Sequence, residues 1–189
     1  MTPNALTGGF ARPPIDAAHA FRAALNAMAR PGTIETVAGA APPAPLSLAA
    51  GVLILTLTDG STPLHLAASH DCAAVRDWIT FQTGAPLVGA AEAGFAIGTW
   101  DALQPVVRFA IGTADYPDRS ATLIVEVPEL TAKGACLSGP GIKDVAHLSL
   151  PDIASFKTNC ALYPLGFDAY LTTGATLAAL PRSTKVEAT

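Results

Sequence analysis

The apolar segments of this chain are short, and proline and glycine cut them at Arg30-Pro31-Gly32, Asp59-Gly60-Ser61-Thr62-Pro63, Gly84-Ala85-Pro86, Ser138-Gly139-Pro140-Gly141 and Thr173-Gly174-Ala175. Each break supplies a fixed φ, a missing donor or a left-handed turn, so no helix or strand can run far. Strictly apolar runs such as Val52–Leu55 fall well short of the roughly 20 residues that span a bilayer. The chain must be built from many short elements around a shared interior. With 189 residues it is expected to be one domain, 1–189, with residues 1–14 loose.

Between the breaks, Ile15–Ala29 places Ala18, Phe21, Leu25 and Met28 at helical spacing, with Asp16 positioned to cap a short amphipathic helix. Ala40–Pro45 is a linker. The branched aliphatics of Val52–Thr58 read as a strand buried on both faces, turning through 59–63 into Leu64–Ala67 as a hairpin. Ser69 is placed to cap a helix over His70–Thr83 carrying Val75, Trp78, Ile79 and Gln82, ended by Gly84. Pro105 interrupts a further helix over Asp101–Arg108. Ala121–Val127 and Gly134–Leu137 are strands, Pro151 opens a helix over Asp152–Leu162, and Phe167–Thr172 with Thr176–Leu180 form a closing hairpin. Helices and strands interleave irregularly with hairpins at two places. The expected fold is therefore α/β, with a three-layer mixed sheet covered by helices.

Apolar residues make up 50% of the chain and charged ones 14%, which excludes the signature of disorder. Alanine accounts for 38 positions, so the larger side chains must mark the true core. The formal net charge is −4 and the 11 basic residues form no stripe, so no nucleic-acid partner is expected. No membrane partner is expected either, and Met1–Arg12 lacks the basic and apolar regions of a secretory signal, giving a cytoplasmic expectation. Cys72, Cys136 and Cys160 fit reduced thiols better than disulfides or a metal site.

Few residues announce chemistry. His65 and His70 share no helical face, His19 and His147 stand alone, and the acids are too scattered to nominate a carboxylate pair. No catalytic residue, metal ligand or cofactor is assigned. Ser138-Gly139-Pro140-Gly141 can present backbone amides to an anion but lacks the ending of a phosphate-binding loop; a tight turn is the competing reading. Arg30 and Arg182 each adjoin a proline able to hold a guanidinium for an anion, with solvated element ends as the alternative. Ser183 and Thr184 add two hydroxyls beside Arg182. The candidate anion-binding or partner-binding set is Arg30, Ser138, Gly139, Gly141, Arg182, Ser183 and Thr184. Arg182 is expected to act on a partner or anion and not on the fold.

Seven segments, in order, carry a resemblance. They are Phe21-Arg22 through Pro31-Gly32, Leu53–Asp59 with Thr62-Pro63-Leu64, Phe81–Leu87, Gly112-Thr113 through Ala121–Ile124, Leu137–Ile142, Tyr163–Asp168 and Leu180–Val186. From about residue 15 to the C-terminus the chain resembles the PhnH family, H subunits of bacterial carbon–phosphorus lyase systems. Gln82 stands where that family carries histidine, and Ser183 where it carries threonine. The resemblance implies a role in phosphonate catabolism. It implies partnership with G, I and J subunits, and support, with the L subunit, for joining a phosphonate to the ribose of ATP with loss of adenine. The product is a ribose 1-phosphonate 5-triphosphate. It also implies a fold similar to the large domain of pyridoxal-phosphate-dependent transferases without that cofactor, and a homodimer when alone. Lys133, Lys143, Lys157 and Lys185 fall in expected loops, helix surfaces or the tail, so no Schiff base with pyridoxal phosphate is expected. A structural or substrate-organising subunit is the first reading. A subunit binding the nucleotide triphosphate directly and a stand-alone transferase are the alternatives.

Overall fold

A computed structural model describes residues 6–189. Its centre is a six-stranded mixed sheet. Strands β2 (Leu64–Leu66), β3 (Phe95–Thr99), β4 (Thr122–Glu126) and β7 (Asp168–Thr173) run parallel, and β8 (Thr176–Leu180) and β1 (Glu35–Thr36) add antiparallel at one edge. Because successive side chains point to opposite faces, Ile97, Ile124, Tyr170 and Ala179 enter one apolar cluster while Ala96, Leu123, Val125, Ala169, Leu171 and Ala178 enter another. Helices α1 (Pro13–Ala29), α2 (Leu48–Leu57) and α3 (Ala73–Thr83) fill the first side. The second side holds α4 (Trp100–Leu103), α5 (Ile153–Ala161) and a three-stranded antiparallel sheet of β6 (Ala146–Leu148), β5 (Ala135–Ser138) and β9 (Lys185–Glu187). Three α/β layers about a mixed sheet are present as expected, but the second cover is partly a sheet.

The main correction concerns 48–57, which is a helix and not the first strand of a hairpin. Ser47 accepts a hydrogen bond from the Ala50 N–H at 3.1 Å and caps it, and Ala49, Ala50 and Gly51 extend the apolar run to helical length. A Cβ on Gly51 would lie 2.5 Å from Pro42 Cγ, so the bare backbone lets the 42–45 segment close over the helix. Residues 49–54 are buried all round, and a helix without a polar face belongs in the interior. Leu64–Leu66 consequently pairs in parallel with β3, a strand absent from the sequence reading.

Other boundaries move for local reasons. Asp16 lies inside α1, where Oδ2 accepts the Arg12 N–H at 2.8 Å; Arg12 is the N-terminal boundary residue and Pro13 the first helical one. The stripe Phe21 and Leu25 is exposed, whereas Ala20, Ala24 and Ala27 face the core. Small side chains bring α1 close to the sheet. Ser69 does not cap α3, which begins after Cys72; its hydroxyl serves His70 and Thr99 instead. Pro151 precedes Asp152, whose carboxylate accepts from Ala154 N and Ser155 N and caps α5. Pro105 does split the 101–108 segment, leaving α4 and a 3-10 turn at Val106–Arg108. The opening segment is held from Thr7, whose carbonyl accepts from Trp78 Nε1 at 3.0 Å; residues 1–5 lie outside the described residues.

Candidate functional site

The three sequence-nominated segments converge. The 138–141 turn leaves β5, closes through the Ile142 N–H to the Gly139 carbonyl at 3.1 Å, and is pressed between the end of α1 and the start of β9. A Cβ on Gly141 (φ +82°) would lie 2.0 Å from the Ala29 carbonyl oxygen and 3.3 Å from Pro31 Cδ. One on Gly139 (φ +125°) would lie 3.3 Å from the Ser183 carbonyl oxygen. Ser138 pairs with Lys185 across the antiparallel β5–β9 ladder. The glycines therefore serve close backbone approach as well as positive φ.

Within this cluster the side chains differ. Arg30 is exposed, and Ser138 and Ser183 are half-buried. Thr184 is buried, its N–H donating to the Pro181 carbonyl at 2.9 Å, and its hydroxyl has no partner among the described residues. Arg182 turns inward. Its Nε donates to Asp168 Oδ1 at 3.1 Å, Nη2 to Asp168 Oδ2 at 2.6 Å and to Ser120 Oγ, and Nη1 to the Pro117 carbonyl at 2.7 Å. A guanidinium so engaged fixes the chain after β8 to the start of β7. The expectation that Arg182 acts outside the fold does not match this geometry. A shallow hollow of about 460 Å³ adjoins it, walled by Pro117, Pro140, Tyr163, Pro164 and Ser183.

A second polar constellation, missed in the sequence, lies at the carboxyl ends of the parallel strands, the end where α/β sheets commonly place ligands. Glu126 closes β4. Its Oε1 accepts the Ser47 N–H at 2.7 Å at the start of α2, and its Oε2 accepts from the Thr172 hydroxyl at 3.1 Å. His70, 2% exposed, presents Nε2 to Glu126 Oε1 at 3.9 Å, beyond hydrogen-bond reach. Ser69 Oγ accepts the Thr99 N–H at 3.0 Å and lies within hydrogen-bond distance of His70 Nδ1, at 2.9 Å. Burial holds His70 below its ordinary pKa. Burial also raises Glu126, against the hydrogen bonds from Ser47 and Thr172. The group joins β3, β4, β7, α2 and the segment before α3. The one sequence signal was a glutamate ending the fully apolar Leu123-Ile124-Val125 run.

Among the other titratable groups, Tyr170 is buried, its hydroxyl donating to the Ala24 carbonyl at 3.3 Å. His65 bonds through Nδ1 to the Val88 carbonyl at 3.0 Å and rests edge-on against Phe109. All four lysines are exposed, all three cysteines are free, and no group of three or more His, Cys, Asp or Glu among the described residues is placed to hold a metal ion. No helix among the described residues is long and apolar enough to cross a membrane.

Comparison with known proteins agrees with the resemblance. Residues 8–187 match the family model of the bacterial phosphonate metabolism protein PhnH. The chain is 39% identical over 196 residues, 96% of its length and 95% of the relative's, to the alpha-D-ribose 1-methylphosphonate 5-triphosphate synthase subunit PhnH of Rhizobium meliloti (strain 1021). It is 29% identical over 177 residues, 88% of its length and 84% of the relative's, to the putative C-P lyase subunit protein HtxG of Stutzerimonas stutzeri. With nearly the whole chain matched by that model, and the fold running unbroken through the same span, the chain belongs to the PhnH family of bacterial phosphonate metabolism proteins.

Proposed function

We propose that this chain is a subunit of the enzyme that joins a phosphonate to the ribose of ATP with loss of adenine, and that its part is to organise the assembly. The observation that carries this reading is its 39% identity, over almost all of both chains, to a protein named as a subunit of that synthase. The geometry favours organisation over independent catalysis. Arg182, Asp168, Glu126 and Ser69, the residues best suited to chemistry, are engaged in holding strands and helices together. Its partners in this reading are the G, I and J subunits, in the cytoplasm, without cofactor, on a scaffold of the pyridoxal-phosphate transferase type. The exposed α1 stripe of Ile15, Phe21 and Leu25 supplies the apolar face for a homodimer when the chain is alone.

The surface formed by Arg30, Ser138, Gly139, Gly141 and Ser183, with Thr184 buried next to Ser183 and Arg182 bracing the segment, is the polar contact for a partner or a bound anion. The exposed Arg30 beside a glycine turn favours a second reading, in which that surface meets the triphosphate directly. Affinity purification of the tagged chain, co-expressed with its G, I and J counterparts, tests the first reading: a stoichiometric complex supports it, and a chain recovered alone refutes it. Protection of the isolated chain by ATP in thermal melting would support the second.

A further inference from the structure

β1 is an outer strand of the six-stranded sheet, and a cleft of about 510 Å³ lies between residues 36–39 and the start of α1. The Val37 N–H donates to the Ala175 carbonyl at 2.9 Å, so in the antiparallel ladder of β1 with β8 the neighbouring Thr36–Thr176 pair is the one that exchanges no bonds. The Thr36 N–H and C=O therefore point away from β8, off the edge of the sheet. Neither has a partner among the described residues, and Thr36 and Ala38 are both exposed and both line the cleft. Arg12, Asp16 and His19 form the opposite wall. Arg12 Nη2 donates to Asp16 Oδ1 at 3.4 Å, and the rest of the exposed guanidinium has no acceptor among the described residues; His19 is exposed as well.

We propose that an extended segment of a different polypeptide, carrying an acidic side chain, adds to this edge as a seventh strand. A donor and an acceptor on one residue, both facing outward in the plane of the sheet, are matched by the backbone of an extended chain, and an exposed edge is the surface on which such a chain adds. A carboxylate on the α1 side of that chain meets the Arg12 guanidinium and the His19 imidazole. A phosphate or nucleotide would set its anionic oxygens against the Thr36 carbonyl and the Asp16 carboxylate. A second copy offers only the same short edge, cut by Pro31-Gly32 before it and by Gly39 at φ +103° after it, and two such edges share too few bonds to offset the cost of association. The added strand rests on the subunit reading and deepens it, since it names an edge that another subunit of the assembly covers.

The test is co-purification of the tagged full chain with the co-expressed G, I and J subunits, together with amide hydrogen exchange over residues 33–39 in the free chain and in the complex. Thr36→Pro removes the outward N–H and leaves the β8 ladder, which does not use it, intact. It is expected to lower partner recovery at least about tenfold, whereas Thr36→Ala, which keeps the N–H, retains the partners. His19→Glu sets a carboxylate against the incoming one and is expected to lower recovery as well. In the unmodified complex the 33–39 amides are expected to exchange at least about tenfold more slowly than in the free chain. Should Thr36→Pro unfold the chain, His19→Glu and the exchange comparison decide. Unchanged recovery for Thr36→Pro or His19→Glu, or equal exchange in the two states, overturns the edge assignment and leaves the subunit reading standing. Equal losses for Thr36→Pro and Thr36→Ala make the contact a side-chain one and also overturn it. Slowed exchange in the chain alone, with a doubled mass in light scattering, assigns the edge to a second copy and overturns it too. If the unmodified chain recovers no partner, the subunit reading falls and takes the added strand with it.

Discussion

Arg182 and Asp168 form a two-pronged ion pair, with Nη2 to Oδ2 at 2.6 Å and Nε to Oδ1 at 3.1 Å, and the Arg182 backbone N–H adds a third bond to Oδ1 at 2.8 Å. The pair is mostly sheltered, and it fastens the chain that leaves β8 to the first residue of β7. Arg182→Ala is therefore expected to destabilise the isolated protein by about 2–3 kcal/mol, or roughly 5–10 °C in melting temperature, by leaving Asp168 without its partner. Arg182→Lys should lie between, because an ammonium keeps the charge but loses the planar fork. Denaturant titration of the three proteins checks this; a melting temperature within a degree or two for the alanine variant would make the pair ordinary surface.

His70 and Glu126 give opposite pH contributions. The pKa of His70 is lowered on folding, so the folded state resists its protonation and stability is lost as pH falls from the unfolded value near 6.5 toward the lower folded value. The pKa of Glu126 is raised, so stability is lost as pH rises from the unfolded value near 4.5 toward the higher folded value. Replacing His70 with Gln should flatten the loss of stability between pH 7 and 5, measured by urea unfolding at each pH. An undiminished slope would place the acid sensitivity elsewhere.

Glu126→Gln should cost little at neutral pH, about 1 kcal/mol or less, because the amide oxygen still accepts from Ser47 N–H without a buried charge. Glu126→Ala should cost about 2–3 kcal/mol by orphaning that N–H and the Thr172 hydroxyl. Equal losses for the two variants would show that the carboxylate charge itself holds the joint.

Two positive-φ glycines separate backbone strain from crowding. Gly174, at φ +54°, has nothing within 4 Å of an added Cβ, and Gly174→Ala should cost about 1 kcal/mol. Gly141→Ala adds a 2.0 Å collision with the Ala29 carbonyl oxygen and should cost about 3 kcal/mol or more, pushing the 138–141 turn off α1. Calorimetry on both variants measures the difference. Equal costs would mean that the turn and the helix end can part freely.

What the sequence disclosed follows from which signals are local. Gly84 in the left-handed conformation after α3, Pro105 dividing 101–108 and the Thr173–Thr176 hairpin were legible because a residue and its near neighbours decide them. Val52–Thr58 was misread because a helix buried on every side has no periodic polar face; the decisive cues were the Ser47 cap and the small residues 49–51. Alanine misled in the same way on α1, where Ala20, Ala24 and Ala27 form the core face and the bulkier Phe21 and Leu25 point outward. The 30, 138–141 and 182–184 cluster came from Gly and Pro chemistry. The His70–Glu126 joint spans 56 positions of sequence and needed the parallel sheet to bring its halves together.

Adenine release from ATP and methylphosphonate, measured with the G, I and L subunits in the presence and absence of this chain, decides whether the chain is an organising subunit of the synthase. Release is expected to require this chain together with the others, and the chain alone is expected to release none. Full release without it, or release by the chain acting alone, would contradict its assignment as an organising subunit.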